Sequence, residues 1–163
     1  MRILLLNIRQ GGGPRTQALL NWFASANSDV LVLPEWRDNT CGKTITDTLE
    51  AQGYSLASAA FAIGRYNGIL IAAKGRCQSR RVTPTAAEKG ELVLADIAPG
   101  IRLMAGYFPQ GKAKAPFFEI CIKEAISSQG TPLLFLGDVN TGHNEVDIEG
   151  LAFHLLGLNY SPL

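Results

Sequence analysis

Several residues of the kind that handle phosphate stand where apolar runs of this chain stop. Leu133-Leu134-Phe135-Leu136 ends at Gly137, and an acid and an amide, Asp138 and Asn140, follow two residues apart. Asn7 closes the run that starts at Ile3, Glu35 follows Val30-Leu31-Val32-Leu33, and Tyr107 ends the run from Ile101. A buried strand that ends on a polar residue delivers that group to the edge of a sheet. Glu35 there is a hard oxygen donor suited to Mg²⁺, which takes few carboxylates and keeps several waters, or else a solvated acid at a loop mouth. Asn7 could help ligate the metal or bind a phosphate oxygen, or simply make a turn. Asp138 could orient and deprotonate a water and Asn140 hold a phosphate oxygen through its amide, or the two form an Asx-type loop. Tyr107 could donate its hydroxyl to a phosphate or leaving oxygen, or only pack. Converging, these groups predict a metal-assisted phosphate site.

The elements that must position them follow from the apolar pattern. Residues 2–8 read as a strand buried on both faces. Gln10-Gly11-Gly12-Gly13-Pro14 is a loop with Pro14 placed to start a helix, whose face is Ala18, Leu19, Trp22, Phe23 and Ala26. Residues 30–33 are a second buried strand. A helix over 43–52, stopped by Gly53, precedes a weak strand over 54–60 and a stronger one over 68–73. Residues 74–90 are loop-like with a short strand near Arg81. Residues 91–97 and 101–107, separated by Ala98-Pro99-Gly100, predict a hairpin. Phe117, Phe118, Cys121, Ile122, Ala125 and Ile126 mark an amphipathic helix closed by Gly130. The strand over 133–136 follows, and the tail from Gly150 reads as helical. Parallel-type crossovers at two helices combined with an antiparallel hairpin fit an α/β fold of two sheets with helices outside.

The totals suit one globular domain: 163 residues, 47% hydrophobic, 18% charged, net charge +1. All 15 Lys and Arg lie at or before Lys123 with 9 of the 14 acids, so that part carries +6 and the last 40 residues carry five acids alone. A basic body is compatible with a phosphate-backbone ligand and equally with ordinary surface variation. Arg76, Arg80, Arg81 and Lys89, and the pair Lys112 and Lys114, are backbone-contact candidates or solvated loop charges. Cys41, Cys77 and Cys121 form no CxxC pair, which predicts reduced thiols in a cytoplasmic protein rather than zinc or disulfides. No run has the length of a membrane span.

Read together, five stretches resemble the endonuclease/exonuclease/phosphatase family, in particular its exonuclease III-like branch. They are Leu6-Asn7-Ile8-Arg9, Asp29 to Glu35, Tyr66-Asn67-Gly68-Ile69, Gly106-Tyr107-Phe108-Pro109-Gln110-Gly111 and Leu136-Gly137-Asp138-Val139-Asn140, in the family's order. The resemblance implies a four-layer α/β/β/α sandwich of two mixed sheets and hydrolysis of a phosphodiester with Mg²⁺ or Mn²⁺. It implies metal roles for Glu35 and Asn7, catalytic roles for Asp138, Asn140 and Tyr107, and a substrate-side position for Asn67. Nucleic acid, DNA first, is the implied partner.

The resemblance also implies a later region with further strands, an Asp and a terminal Ser-Asp-His motif, which this chain lacks. Its own His143 and His154 do not match that motif. The sandwich is thus expected to be incomplete at its C-terminal end and open to self-association through the unfinished sheet. Two other readings compete with a nuclease-like hydrolase. One is a partial domain that binds metal or phosphate without turnover. The other is a nucleotide-binding regulatory module built on Gln10 to Pro14, whose backbone N–H groups would cradle phosphate.

Overall fold

The computed structural model describes residues 1–59, 66–84, 89–98, 100–128 and 130–141. The expected elements of the tail, with His143 and His154, lie outside the described residues. The chain order is β1 (Ile3–Leu5), α1 (Thr16–Ala26), β2 (Val30–Trp36), α2 (Thr40–Ala51), β3 (Tyr54–Ala59), β4 (Gly68–Lys74), β5 (Gln78–Arg81), β6 (Glu91–Ala98), β7 (Ile101–Tyr107), α3 (Ala115–Ser127) and β8 (Leu133–Asp138). Short 3₁₀ turns at Gly13–Arg15 and Gly111–Lys114 lead into α1 and α3.

Two four-stranded mixed sheets result, with strand orders β1-β2-β4-β3 and β5-β6-β7-β8. The crossover through α1 sets β1 parallel to β2, and the crossover through α3 sets β7 parallel to β8. All other pairings are antiparallel, including the expected β6–β7 hairpin.

The alternation of the apolar runs builds the layers. From β2, Leu31 and Leu33 point outward onto Leu20 and Phe23 of α1 and Ile45 and Leu49 of α2. Val30 and Val32 point inward and, with Ile69, Ile71 and Ala73 of β4, meet Val93, Ala95, Ile97, Leu103 and Ala105 of the second sheet. On that sheet's far side Leu92, Leu94 and Met104 pack on Phe108 and on Phe117 of α3. This is the expected α/β/β/α sandwich, and it explains why the strands read as unbroken apolar runs: both faces are covered.

Element limits differ from the expectation where local chemistry intervenes. Regular pairing of β1 ends at Leu5, although Leu6 N–H still donates to Val32 O at 3.0 Å and Ile8 N–H to Pro34 O at 3.1 Å. α2 starts earlier, at Thr40, because the Asn39 side chain caps it by accepting from Gly42 N–H. Gly42 also lets α2 approach the exit of β2, since a Cβ there would lie 1.8 Å from Arg37 O. β2 runs on to Trp36, past a register shift between Pro34 and Trp36. No described helix is long and apolar enough to cross a membrane.

At the margin of the second sheet, β8 pairs only with β7 among the described residues. Leu134 and Phe135 of β8 and Phe118, Ile122 and Ile126 of α3 are exposed.

Candidate functional site

Glu35 is the extra residue of a bulge near the end of β2, and its φ is 62°. Left-handed backbone is uncommon for a residue with a Cβ. A bulge re-aims a side chain that a regular strand would point elsewhere. It turns the carboxylate of Glu35 toward the top of the sandwich. Four donors meet it or its backbone carbonyl. Asn7 Nδ2 reaches Oε1 at 3.0 Å, while Gln10 N–H and Asn67 Nδ2 reach Oε2 at 2.8 and 3.1 Å. Gly11 N–H donates to Glu35 O at 2.8 Å.

Asp138 arrives from the other sheet. Gly106 and Gly137 are paired in register one step before Tyr107 and Asp138. A Cβ on Gly137 would lie 2.2 Å from Gly106 O, so glycine permits the close approach of β7 and β8 where the site begins. Asp138 accepts from Asn7 Nδ2 at 2.8 Å through Oδ2 and from Asn140 N–H at 3.0 Å through Oδ1. One amide nitrogen of Asn7 thus lies within 3.0 Å of a carboxylate from each sheet. The Asn7 carbonyl in turn accepts from Arg9 N–H at 2.8 Å.

Tyr107 completes the group. Its hydroxyl oxygen accepts from Asn67 Nδ2 at 3.3 Å, and among the described residues its own O–H has no acceptor. Burial pushes the Tyr107 hydroxyl above its ordinary pKa, as do the charges of Glu35 and Asp138, while the Asn67 hydrogen bond and Arg37 oppose the shift. The phenol therefore stays protonated and able to donate. Asn140 has φ 47°. Its side-chain Nδ2 donates to Phe108 O at 2.6 Å, leaving the second N–H of that amide for another acceptor.

All six residues expected at the site are thus gathered into one network drawn from both sheets. Both N–H groups of Asn67, the residue expected on the substrate side, and its carbonyl are engaged within the network. Two further residues belong to it. Arg37 Nε donates to Asn67 Oδ1 at 2.6 Å, and Lys114 Nζ donates to Asn140 O at 2.7 Å and Thr141 Oγ1 at 2.8 Å. Burial holds the Lys114 ammonium below its ordinary pKa, against the pull of the Asp138 charge. The sequence marks Lys114 as a backbone-contact candidate or a solvated loop charge, without its partners, and does not mark Arg37, because each meets its partner through space.

The Gln10 to Pro14 loop is not an open phosphate cradle. The N–H groups of Gln10, Gly11 and Gly12 already donate to Glu35 Oε2, Glu35 O and Ile8 O. Arg80 and Arg81 lie on β5 and pair with Glu124 and Glu91 at 2.7 and 2.6 Å. The thiol of Cys121, pushed up to about 11 by burial, is no nucleophile at neutral pH.

The donor set suits a hard divalent cation. Glu35 and Asp138 are two carboxylates that accept from neutral amide and backbone donors, and neither forms an ion pair among the described residues. No group of three or more His, Cys, Asp or Glu gathers among the described residues. A divalent cation held here would take one or two carboxylates and leave the rest of its shell to water, a donor set that hard cations accept.

No family model matches the chain, and no curated protein matches it. Solved structures do. TDP2 from C. elegans superposes with a TM-score of 0.71 at 16% identity, over 86% of this chain and 48% of that one. The 3′ phosphatase NExo from Neisseria, bound to product DNA hairpin, gives 0.70 at 19%, over 96% and 70%. An AP endonuclease from Archaeoglobus fulgidus gives 0.66 at 21%, over 90% and 60%. The chain spans about half the length of two C. elegans TDP2 structures, 48% and 46%, and 69% of a TDP2 structure from D. rerio. These likenesses agree with the layers: the chain has the fold of these structures, the two-sheet α/β/β/α sandwich expected from the motifs.

Proposed function

We propose that the chain carries a divalent-metal-dependent phosphodiester hydrolase site that acts on nucleic acid, with DNA the first substrate to test. The observation that supports this most is the pair Glu35 and Asp138, one from each sheet, bridged by Asn7 and paired with no cation among the described residues.

In this reading Glu35, with Asn7 beside it, holds Mg²⁺ or Mn²⁺. When bound, the ion neutralises phosphate charge and supports an in-line displacement. Asp138 orients the attacking water and takes its proton. Tyr107 donates its free O–H to a non-bridging or leaving oxygen. Asn140 offers its unengaged N–H to the phosphate, and Asn67, anchored by Arg37, holds Glu35 and Tyr107 in place.

The test is cleavage of an abasic-site duplex beside plain single- and double-stranded DNA, with Mg²⁺, with Mn²⁺ and with chelator. Metal-dependent cleavage that Asp138→Ala abolishes is expected. Cleavage that survives Asp138→Ala removes the active-site assignment.

A second reading of the same network is metal and phosphate binding without turnover. It predicts Mn²⁺ binding by calorimetry that Glu35→Ala removes, with no cleavage of any of the three DNAs.

A further inference from the structure

Arg37 follows the end of β2, two residues after the bulge at Glu35, and is half-buried beside the network. Its stem is held. A Cβ on Gly11 would lie 3.1 Å from Arg37 Cβ and 3.5 Å from Cγ, so glycine at φ +79° leaves the space that the stem fills. The Arg37 carbonyl accepts from Asn39 N–H at 2.9 Å. Nε donates to Asn67 Oδ1 at 2.6 Å. That bond engages one of the five N–H groups of a guanidinium. The four on Nη1 and Nη2 have no acceptor among the described residues, and Arg37 has no ion pair there.

Other arginines end differently. Arg80, Arg81 and Arg102 each meet a carboxylate, at 2.7, 2.6 and 2.8 Å. Arg2 and Arg15 reach backbone carbonyls, and Arg9 and Arg76 are exposed to water. Arg37 is partly withdrawn from water with its charged end unanswered. Withdrawing a charge from water costs free energy unless an opposite charge meets it. Glu35 is not that charge, although it is close in the chain: its carboxylate goes to Asn7, Gln10 and Asn67. The guanidinium nonetheless acts on the site. Burial raises the Tyr107 pKa, and the Arg37 charge pulls against that rise. An anion brought to Tyr107 would feel the same charge.

We propose that Arg37 is a phosphate-binding residue of the site, with its Nη edge on the phosphate and its Nε on Asn67, an inference that rests on the reading of the network as a phosphate site. The planar fork of a guanidinium fits two oxygens of a phosphate. Tyr107 and Asn140, the other donors assigned to the phosphate, are neutral, so Arg37 adds a positive charge that they do not. Charge spreads over the equatorial oxygens as a phosphoryl group is displaced, and a cation fixed in advance stabilises it without reorganising. One side chain then joins two tasks. It sets the Asn67 amide that holds Glu35 and Tyr107, and it receives the group on which the site acts.

The experiment is calorimetric binding of inorganic phosphate to the full chain in Mg²⁺. Arg37→Ala is expected to weaken binding about tenfold, the order of hydrogen bonds from a charged group. The same loss is expected when Asn67 is already alanine, because a residue that acted only through Asn67 would then have nothing left to support. Added methylguanidinium should restore part of the affinity of Arg37→Ala, and methylammonium less, since only the first has the fork. Arg37→Lys keeps the stem against Gly11 and the charge, so it serves where the alanine variant fails to fold, and it should weaken binding by a smaller factor. Binding that both variants leave unchanged, or a loss that vanishes in the Asn67→Ala background, overturns the assignment of Arg37 alone. No phosphate binding by the unaltered chain overturns the phosphate site and the assignment together.

Discussion

The two carboxylates of the candidate site stand on strands placed differently, β2 inside the first sheet and β8 at the edge of the second among the described residues. In the first, Leu31, Val32 and Leu33 of β2 and the residues 69–73 of β4 are 0% exposed, sealed between two helices and the facing sheet. In the second, β8 lies at the edge of the described sheet with Leu134 37% and Phe135 38% exposed. The candidate site takes one carboxylate from each: Glu35 from the sealed sheet, Asp138 from the edge strand. The difference teaches that the geometry of the site rests on the contact between layers, chiefly the 2.8 Å bond from Asn7 to Asp138, and not on either sheet alone.

The sharpest way to break this comparison is to remove one acid at a time. Glu35→Ala and Asp138→Ala are each expected to lower metal-dependent turnover by about 10³-fold, and the double variant by little more, because groups that act as a unit are not additive. Effects that multiply in single-turnover kinetics would mean that the two sheets contribute independently.

Stability should separate the sheets next. Leu33→Ala, in the sealed sheet, is expected to cost about 3 kcal/mol, within the range of buried leucine truncations, while Leu134→Ala on the edge strand should cost about 1 kcal/mol. Urea unfolding measures both, and equal costs would dissolve the contrast.

Tyr107 ends a strand of the second sheet but is held through Asn67 by the first. Tyr107→Phe is expected to lower turnover by about 100-fold, the cost of one preorganised donor. Its pKa is raised above the ordinary 10.0. The stability linked to that proton is therefore fully present below 10.0 and is lost as pH rises through the higher folded value. Turnover should keep its donor up to the ordinary tyrosine range and fall only above it. A pH profile of Tyr107→Phe should lack that alkaline limb.

The smallest effect concerns the tie that steadies the edge strand's loop. Lys114→Met removes the bonds to Asn140 O and Thr141 Oγ1. A drop in turnover of about tenfold is expected, with a thermal midpoint lowered by a few degrees, because hydrogen bonds to a charged group contribute about 1.5–3 kcal/mol. An unchanged rate would show that the Asp138–Asn140 loop holds itself.

The positions of Asn7, Glu35, Tyr107, Asp138 and Asn140 were legible because a strand buried on both faces announces itself as an apolar run, and its end is then a fixed address. The layers were legible for the same reason, together with the two helices between parallel strands. The bulge at Glu35 was not, since Pro34-Glu35-Trp36 carries no mark of a residue with φ 62°. The Asn39 cap that starts α2 at Thr40 was also missed. Arg37 escaped, and so did the partner of Lys114, because Asn67 and Asn140 are 30 and 26 residues away.

By itself, then, the sequence determined which residues stand at strand ends and that two sheets must be covered by helices, because burial writes periodicity directly into residue order. Only the tertiary structure decided that Asn7 bridges acids from separate sheets, that Asn67 turns inward, and that Arg37 reaches Asn67. Those are distances between segments far apart in the chain, and residue order carries no distance until the layers have packed.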